Sequence, residues 1–155
     1  MSLAPALDIH RARAVASGVV DPEIPVLTVA DLGILRDVRA EGRRIVVTIT
    51  PTYSGCPAMR QIEDDLRSAL DDAGFDDVEV MVTHSPTWGS DWITAEGREK
   101  LEKFGIAPPV PDGEVLCPRC RSSAPRMLAR FGSTACKALV VCRSCGEPFD
   151  YFKVF

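Results

Sequence analysis

Two Cys-x-x-Cys pairs near the end of the chain are its strongest chemical signal. The first pair is Cys117 and Cys120, the second is Cys142 and Cys145, and 21 residues lie between the pairs. Each such turn can supply two thiolates to one ion, and Zn²⁺ prefers four soft ligands in a tetrahedron. The spacing therefore predicts a four-cysteine site for structural zinc. Iron in a rubredoxin-like site is the alternative, and four ordinary buried thiols are the remaining interpretation.

Cys56 is the single cysteine before these pairs. It directly precedes Pro57, a residue favoured at the first position of a helix, so we expect its thiol at a helix N-cap. Unpaired backbone N–H groups and the helix dipole would stabilise the thiolate there and raise its affinity for soft metals. The alternative is a cysteine that replaces serine as a weak cap.

Cys136 is not needed to complete the four-ligand set. It is either a packed hydrophobic residue of the second unit or a free thiol that Lys137 activates for a transient cluster or a partner. The spacing alone favours the packed residue.

A few other side chains could bind a metal. The carboxylates of Asp21, Glu23 and Asp31 suit hard metals, but their positions favour turn and cap roles. His84 would approach Cys56 if two strand ends adjoin, although a hydrogen-bonded loop residue is the commoner role of such a histidine.

The composition fits an ordinary globular protein of one domain or two small ones. The chain has 155 residues, of which 46% are hydrophobic and 26% charged. No stretch approaches the roughly 18 apolar residues of a membrane helix, and Arg11 and Arg13 stand where a signal peptide has its apolar core. We therefore expect a cytoplasmic protein without a membrane partner. Cysteines in that compartment are ligands or reactive thiols more often than disulfides.

Charge divides the chain into two unlike units. Residues 1 to 112 carry 11 basic and 19 acidic side chains, whereas residues 113 to 155 carry 7 and 3. The net charge of −4 argues against nucleic acid as the partner. The basic residues of the second unit, Lys137 among them, are scattered and predict a solvated face, with a docking surface for an acidic partner as the alternative.

A proline-rich segment marks the boundary between the units. Three prolines lie between Gly105 and Gly113, where they favour an extended connector. We expect a first domain over residues 1–106, a linker over 107–114 and a zinc ribbon over 115–155.

The first domain is predicted to be of the α+β class. Its helices are expected at Leu7 to Val19, Pro57 to Asp72 and Asp91 to Phe104, the last capped by Ser90 or Asp91, and its strands at Gly33 to Arg39, Arg44 to Thr50 and Val78 to Thr83. The first five elements, in the order helix, strand, strand, helix and strand, place helices on one face of a three-stranded sheet.

The second unit is predicted to be a three-stranded ribbon. Its strands are expected near Arg126 to Phe131, Ala138 to Val141 and Phe149 to Phe155. About 40 residues cannot bury enough apolar area to fold unaided, so the metal would supply the missing stability.

Several motifs resemble known proteins. Asp21-Pro-Glu-Ile-Pro25, Asp31-Leu-Gly-Ile34 and Thr52-Tyr-Ser-Gly-Cys-Pro-Ala58 resemble the small iron–sulfur cluster assembly domains. The tail adds Phe131-Gly-Ser-Thr-Ala-Cys-Lys-Ala138 and Cys145-Gly-Glu-Pro-Phe-Asp-Tyr-Phe-Lys153. With it, nearly the whole chain is similar to the PaaD (PaaJ) family of phenylacetyl-CoA epoxidase systems, also called phenylacetate-CoA oxygenases.

The resemblance implies an accessory protein of aerobic phenylacetate catabolism. In such systems a di-iron oxygenase epoxidises the ring of phenylacetyl-CoA, and a reductase with flavin and a 2Fe–2S centre feeds it. The implied role is maturation of a metal centre, with the reductase or another epoxidase component as client and the iron–sulfur assembly machinery as partner. Oligomerisation is left open.

The resemblance also bears on two cysteines. Cys56 matches the reactive position of the family and Cys136 lies within the tail motif, so both are implied as thiols for transient iron or a cluster.

The chain lacks the motifs of the catalytic components. It has no Glu-x-x-His pair, from which di-iron oxygenase sites are built, and neither of the glycine-rich nucleotide-binding fingerprints. We expect an accessory protein that is not an enzyme. A non-catalytic subunit that bridges oxygenase components is the alternative, and a nucleic-acid-binding ribbon is disfavoured by the acidic first domain.

Overall fold

The computed structural model of the chain describes residues 8–110 and 113–154. The helices are α1 (Ile9–Ser17), α2 (Ala58–Asp72) and α3 (Ala95–Lys103). The strands are β1 (Leu35–Glu41), β2 (Arg44–Ile49), β3 (Val78–Val82), β4 (Ile106–Ala107), β5 (Pro125–Ala129), β6 (Lys137–Cys142) and β7 (Pro148–Phe152). They form the predicted α+β architecture, with one sheet in each half of the chain. None of the helices in residues 8–110 and 113–154 combines the length and the apolar character that a transmembrane segment needs.

The first sheet has the order β1-β2-β3. β1 and β2 form the expected antiparallel hairpin, and Gly42 takes the positive φ of 63° that its tight turn requires. β2 and β3 run parallel, joined through α2. The carboxyl end of β2 and the start of α2 therefore lie at one edge of the sheet, and the turn between them carries Cys56.

Helix α2 follows the predicted apolar spacing. Its buried residues are Ala58, Met59, Ile62, Leu66 and Leu70. They join the buried side chains of α1 and of the sheet in one hydrophobic core. α1 begins after Asp8, whose side chain accepts a hydrogen bond from the Arg11 N–H at 3.0 Å. The predicted first residue of this helix, Leu7, lies outside the described residues.

The continuous helix predicted from Asp91 to Phe104 is wrong. A 3₁₀ turn at Ser90–Trp92 is followed by extended Ile93, with φ of −63° and ψ of 127°, before α3 begins. The cap is Thr94, whose side chain accepts a hydrogen bond from the Gly97 N–H at 3.0 Å. The Thr94 N–H donates to the Asp31 carbonyl at 2.9 Å, so a contact distant in sequence sets the start of α3.

The second sheet has four strands rather than the three predicted, in the order β4-β7-β6-β5. The extra strand β4 runs parallel to β7 and comes directly before Pro108, which favours extended backbone in the residue it follows. The last ribbon strand ends at Phe152, whereas the prediction reached Phe155, which lies outside the described residues. Pro111 and Asp112 of the predicted linker also lie outside them.

The two sheets share part of one hydrophobic core. Cys136 and Phe152 of the ribbon are buried among the apolar side chains of the first unit. The rings of Phe152 and Trp88 lie 6.1 Å apart, and an ion pair joins Arg121 to Glu102. Packing of the ribbon against the first unit therefore determines what surrounds Cys136.

Candidate functional site

The structure brings the four cysteines of the two Cys-x-x-Cys pairs together. Their sulfur atoms all lie within 4.8 Å of one another, with Cys117 Sγ 3.7 Å from Cys145 Sγ and Cys120 Sγ 3.6 Å from Cys142 Sγ. A tetrahedral zinc site with bonds of about 2.3 Å places its sulfurs roughly 3.8 Å apart. The four cysteine sulfurs therefore fit a tetrahedrally coordinated metal ion.

The two metal-binding turns have the same backbone design. Arg121 N–H donates to the Cys117 carbonyl at 2.9 Å, and Gly146 N–H donates to the Cys142 carbonyl at 2.8 Å. Both donors take positive φ, 65° at Arg121 and 78° at Gly146. Backbone N–H groups of the second turn, that of Cys145 foremost, lower the pKa of the Cys142 thiol to about 6, which favours the thiolate that binds metal.

Cys56 lies in the turn between β2 and α2. Pro57 occupies the N-cap and Cys56 precedes it, while the Cys56 sulfur still accepts hydrogen bonds from the Ala58 N–H and the Tyr53 hydroxyl. Burial nevertheless raises the pKa of the Cys56 thiol, and the negative charges of Glu23 and Asp21 act in the same direction. The predicted thiolate-stabilising environment is therefore wrong, because loss of solvation outweighs the two hydrogen bonds.

Cys136 is 4% exposed and packs in the core. Its sulfur lies 3.0 Å from Oγ1 of Thr134. Burial raises the pKa of this thiol too, and the nearby Lys137 ammonium only partly offsets the effect.

Cys56 and Cys136 line the same cleft, which we call the two-thiol cleft. Its lining comprises Asp21, Glu23, Ile24, Leu32, Ile34, Thr52, Cys56, Met59, Ile62, Cys136 and Phe152. It combines an apolar floor with two thiols and two carboxyl side chains. Only the four ribbon cysteines, among the described residues, form a group of three or more candidate ligands with the spacing of a bound ion. The candidate ligand atoms of the cleft are therefore less closely spaced than the four sulfurs of the ribbon site.

The carboxyl side chains have distinct roles. Asp21 Oδ1 accepts hydrogen bonds from the N–H groups of Glu23 at 2.7 Å and Ile24 at 2.9 Å, the turn role that the sequence favoured. Burial still raises the pKa of Asp21. Burial also raises the pKa of Glu23, and the Asp21 charge adds to this effect.

Asp31 does not line the two-thiol cleft. Its Oδ2 lies 2.8 Å from Lys100 Nζ and accepts a hydrogen bond from the Thr28 N–H at 3.0 Å. It therefore serves as a structural anchor for α3.

His84 is exposed and lines a separate cavity of about 240 Å³ with Thr52 and Tyr53. It is not among the residues of the two-thiol cleft, so the alternative in which His84 approaches Cys56 is not met, and His84 reaches only the neighbouring loop.

One residue of the site, Tyr53, went unrecognised in the sequence. Tyr53 donates to the Cys56 sulfur, a contact that depends on the turn geometry. Lys137 was interpreted either as part of a solvated face or as an activator of Cys136; it is 5% exposed, and its charge acts on Asp21, Glu23 and Cys136. Its position next to Cys136 was the one available signal, because burial of a lysine cannot be told from its own residue type.

Comparison with known proteins identifies both units. Residues 11–82 match the model described as iron-sulfur cluster assembly protein, and residues 107–153 match the PaaD zinc beta ribbon domain. A relative from Escherichia coli (strain K12), named as one of the subunits of a putative 1,2-phenylacetyl-CoA epoxidase, is 47% identical over 152 residues, covering 94% of this chain and 92% of the relative. The chain belongs to the PaaD family.

Other similarities of this PaaD family member concern its first unit. The Fe-S protein maturation auxiliary factor of Porphyromonas gingivalis (strain ATCC BAA-308 / W83) is 38% identical over 86 residues, 54% of this chain and 80% of the relative. The crystal structure of a domain of unknown function, DUF59, from Bacillus anthracis matches with a TM-score of 0.56 and 28% identity, over 60% of this chain and 90% of that one.

Proposed function

We propose that this PaaD family member is a maturation factor, not an enzyme, that holds iron or a nascent iron–sulfur cluster on Cys56 and Cys136. It passes this cargo to a component of the phenylacetyl-CoA epoxidase system of aerobic phenylacetate catabolism, with the reductase as first candidate client. The observation that carries the proposal is that the two thiols line one cleft although they come from different units of the chain. The matches to iron–sulfur assembly proteins support it.

The ribbon site and the two-thiol cleft differ in the number of coordination positions that they leave open to a client. The ribbon brings four thiols together and can close the coordination shell of an ion, which is the arrangement of a structural site. The two-thiol cleft offers only two thiols, so a bound metal keeps positions for ligands from a client. We therefore assign structural zinc to the ribbon and the transient cargo to the cleft. The free thiols of both sites suit the reducing cytoplasm.

A transfer assay tests this function. The reductase apoprotein is incubated without oxygen with iron, sulfide and either the native chain, Cys56→Ser or Cys136→Ser, and its 2Fe–2S absorption is followed. Both cysteine variants should retain one zinc per chain and deliver less cluster, because serine is a poor ligand for iron. Ser54→Ala, in the same loop, is the matched control and should transfer normally. Normal loading by both cysteine variants would contradict the proposal.

A second candidate is a non-catalytic subunit that bridges epoxidase components. The ribbon favours it, because the edge strand β5 carries exposed Met127 and Leu128 and is followed by Phe131, which is 67% exposed. A sheet edge with exposed apolar side chains is suited to contact another protein. A stable complex that survives substitution of both cleft cysteines, with no defect in cluster loading, would favour this function over maturation.

A further inference from the structure

The size of the two-thiol cleft bears on what it can hold. Its free volume is about 10 Å³, which is roughly the space of one water molecule. A 2Fe–2S core contains two irons and two bridging sulfides, so it does not fit between these walls as they stand. A single metal ion takes the place of about one water molecule and does fit.

The cleft also offers a ligand beyond its thiols. The carboxyl group of Glu23 lines it beside Cys56 and Cys136. The neighbouring Asp21 carboxylate accepts two backbone hydrogen bonds within its own turn. Glu23 is therefore the carboxyl group of the cleft that we assign as the third ligand. A set of two sulfurs and one carboxylate oxygen suits a borderline divalent ion such as ferrous iron.

The charges around the cleft favour a cation over an anion. Asp21 and Glu23 line it together with the two thiols, and among the described residues the charge of Lys137 acts on both carboxyl groups. Its ammonium lies 3.9 Å from the Asp150 carboxylate, which partly balances it. A divalent ion bound here would relieve the repulsion among the acidic groups.

We propose that the two-thiol cleft binds a single ferrous ion through the thiolates of Cys56 and Cys136 and the carboxylate of Glu23. This inference rests on the proposed function and narrows its cargo from a finished cluster to the iron from which one is built. Each thiol releases one proton to solvent as its sulfur bonds to the ion, and no electron is transferred. Because the ligands are not held at metal-site spacing in advance, they must close on the ion, which suits a site that later releases it.

Metal titration of the full-length, zinc-filled chain tests this inference. Anaerobic addition of Co²⁺, a spectroscopic substitute for Fe²⁺, should fill one site per chain and produce thiolate-to-cobalt charge-transfer bands, while the ribbon keeps its more tightly bound zinc. Cys56→Ser should abolish these bands. Glu23→Gln keeps the shape of the side chain but removes its charge, and should weaken Co²⁺ binding at least tenfold. Glu96→Gln, on the exposed face of α3, is the matched control and should bind as the native chain does.

Reconstitution with ⁵⁷Fe²⁺, with and without sulfide, separates this inference from the proposed function. One iron per chain bound without sulfide, with reduced binding in Glu23→Gln, supports both. If the native chain takes up two irons and two sulfides but no lone ion, or if Glu23→Gln binds Co²⁺ as the native chain does, the mononuclear site is wrong while a thiol-based carrier survives. If Cys56→Ser changes neither iron nor cluster binding, the proposed function fails as well.

Discussion

Cys56 and Cys136 line one cleft, although the first belongs to the turn before α2 and the second to the segment before β6. Each thiol is held by a hydroxyl group of its own unit, that of Tyr53 for Cys56 and that of Thr134 for Cys136. The paired thiols thus depend on the docking of the ribbon against the first unit.

The reactivity of Cys56 should be low at neutral pH and rise with pH. Burial raises the pKa of its thiol above the ordinary value of 9.0, so the thiolate fraction, and with it the rate of alkylation by iodoacetamide, should increase about tenfold per pH unit below that pKa. Mass spectrometry of the labelled peptide in zinc-filled, iron-free protein measures the rate. A rate already at its plateau at pH 7 would contradict the raised pKa.

Two variants should move this rate in opposite directions. Tyr53→Phe removes a hydrogen bond that lowers the pKa of Cys56, so alkylation at a fixed pH should slow. Glu23→Gln removes a negative charge that raises the same pKa, so alkylation should accelerate. Equal rates in both variants would show that burial alone governs the thiol.

The Asp31–Lys100 ion pair should contribute to stability only above acidic pH. Burial opposes ionisation of Asp31, but hydrogen bonds from Lys100 and Thr28 prevail and lower its pKa below 3.8. The contribution is therefore fully present above the unfolded-state pKa and is lost as pH falls through the lower folded-state value. Asp31→Asn should cost about 1–2 kcal/mol at pH 7 and much less near pH 2, as measured by urea unfolding.

The exposed pair Lys103–Glu99 is the matched control. Its nitrogen–oxygen distance is also 2.8 Å, but its side chains are 74% and 64% exposed, whereas that of Asp31 is 8% exposed. Glu99→Gln should leave the urea midpoint unchanged, because solvent screens exposed pairs. Equal losses in the two variants would show that burial does not strengthen the Asp31 pair.

Phe152 should be a main contributor to the packing of the two units. It is 1% exposed and packs in the core that contains Trp88. Phe152→Ala should lower the free energy of unfolding by about 3–5 kcal/mol because it leaves a cavity, and should accelerate alkylation of Cys136. Phe131→Ala, at an exposed position, should change the free energy little. Denaturant unfolding compares them, and similar losses would argue against this role.

Zinc removal should affect the cleft through β6. This strand runs from Lys137, next to Cys136, to the metal-binding Cys142. Chelation of zinc, or Cys117→Ser, should loosen β6 and expose Cys136, which is 4% exposed in the folded chain. Alkylation of Cys136 should then accelerate at least tenfold, as measured by mass spectrometry of its tryptic peptide. Unchanged protection of Cys136 would show that the two sites are independent.

The features that were predictable from the sequence depend on neighbours along the chain. The Cys-x-x-Cys spacing indicated the ribbon cysteines, and the apolar period of α2 indicated its buried face. The hairpin of β1 and β2 followed from its alternating strands and short turn. In each case a few consecutive residues carry the information.

The features that were missed depend on long-range packing. The pKa direction at Cys56 reverses because tertiary burial outweighs its local hydrogen bonds. The burial of Lys137 and the added strand β4 both arise from contacts with distant residues. The shared cleft itself follows from docking of the ribbon, which no local pattern encodes.

The two thiols of the cleft lie in segments of the chain that match two different families. The segment that matches the iron–sulfur assembly family ends at residue 82 and contains Cys56, whereas Cys136 lies in the ribbon match. The assembly segment alone therefore has one of the two thiols and would have to recruit the other from a second molecule. Covalent attachment replaces that encounter with an intramolecular one, at an effective concentration that is about millimolar even for a short flexible tether. Under the proposed function, the ribbon would thus turn a bimolecular capture into chelation within a single chain.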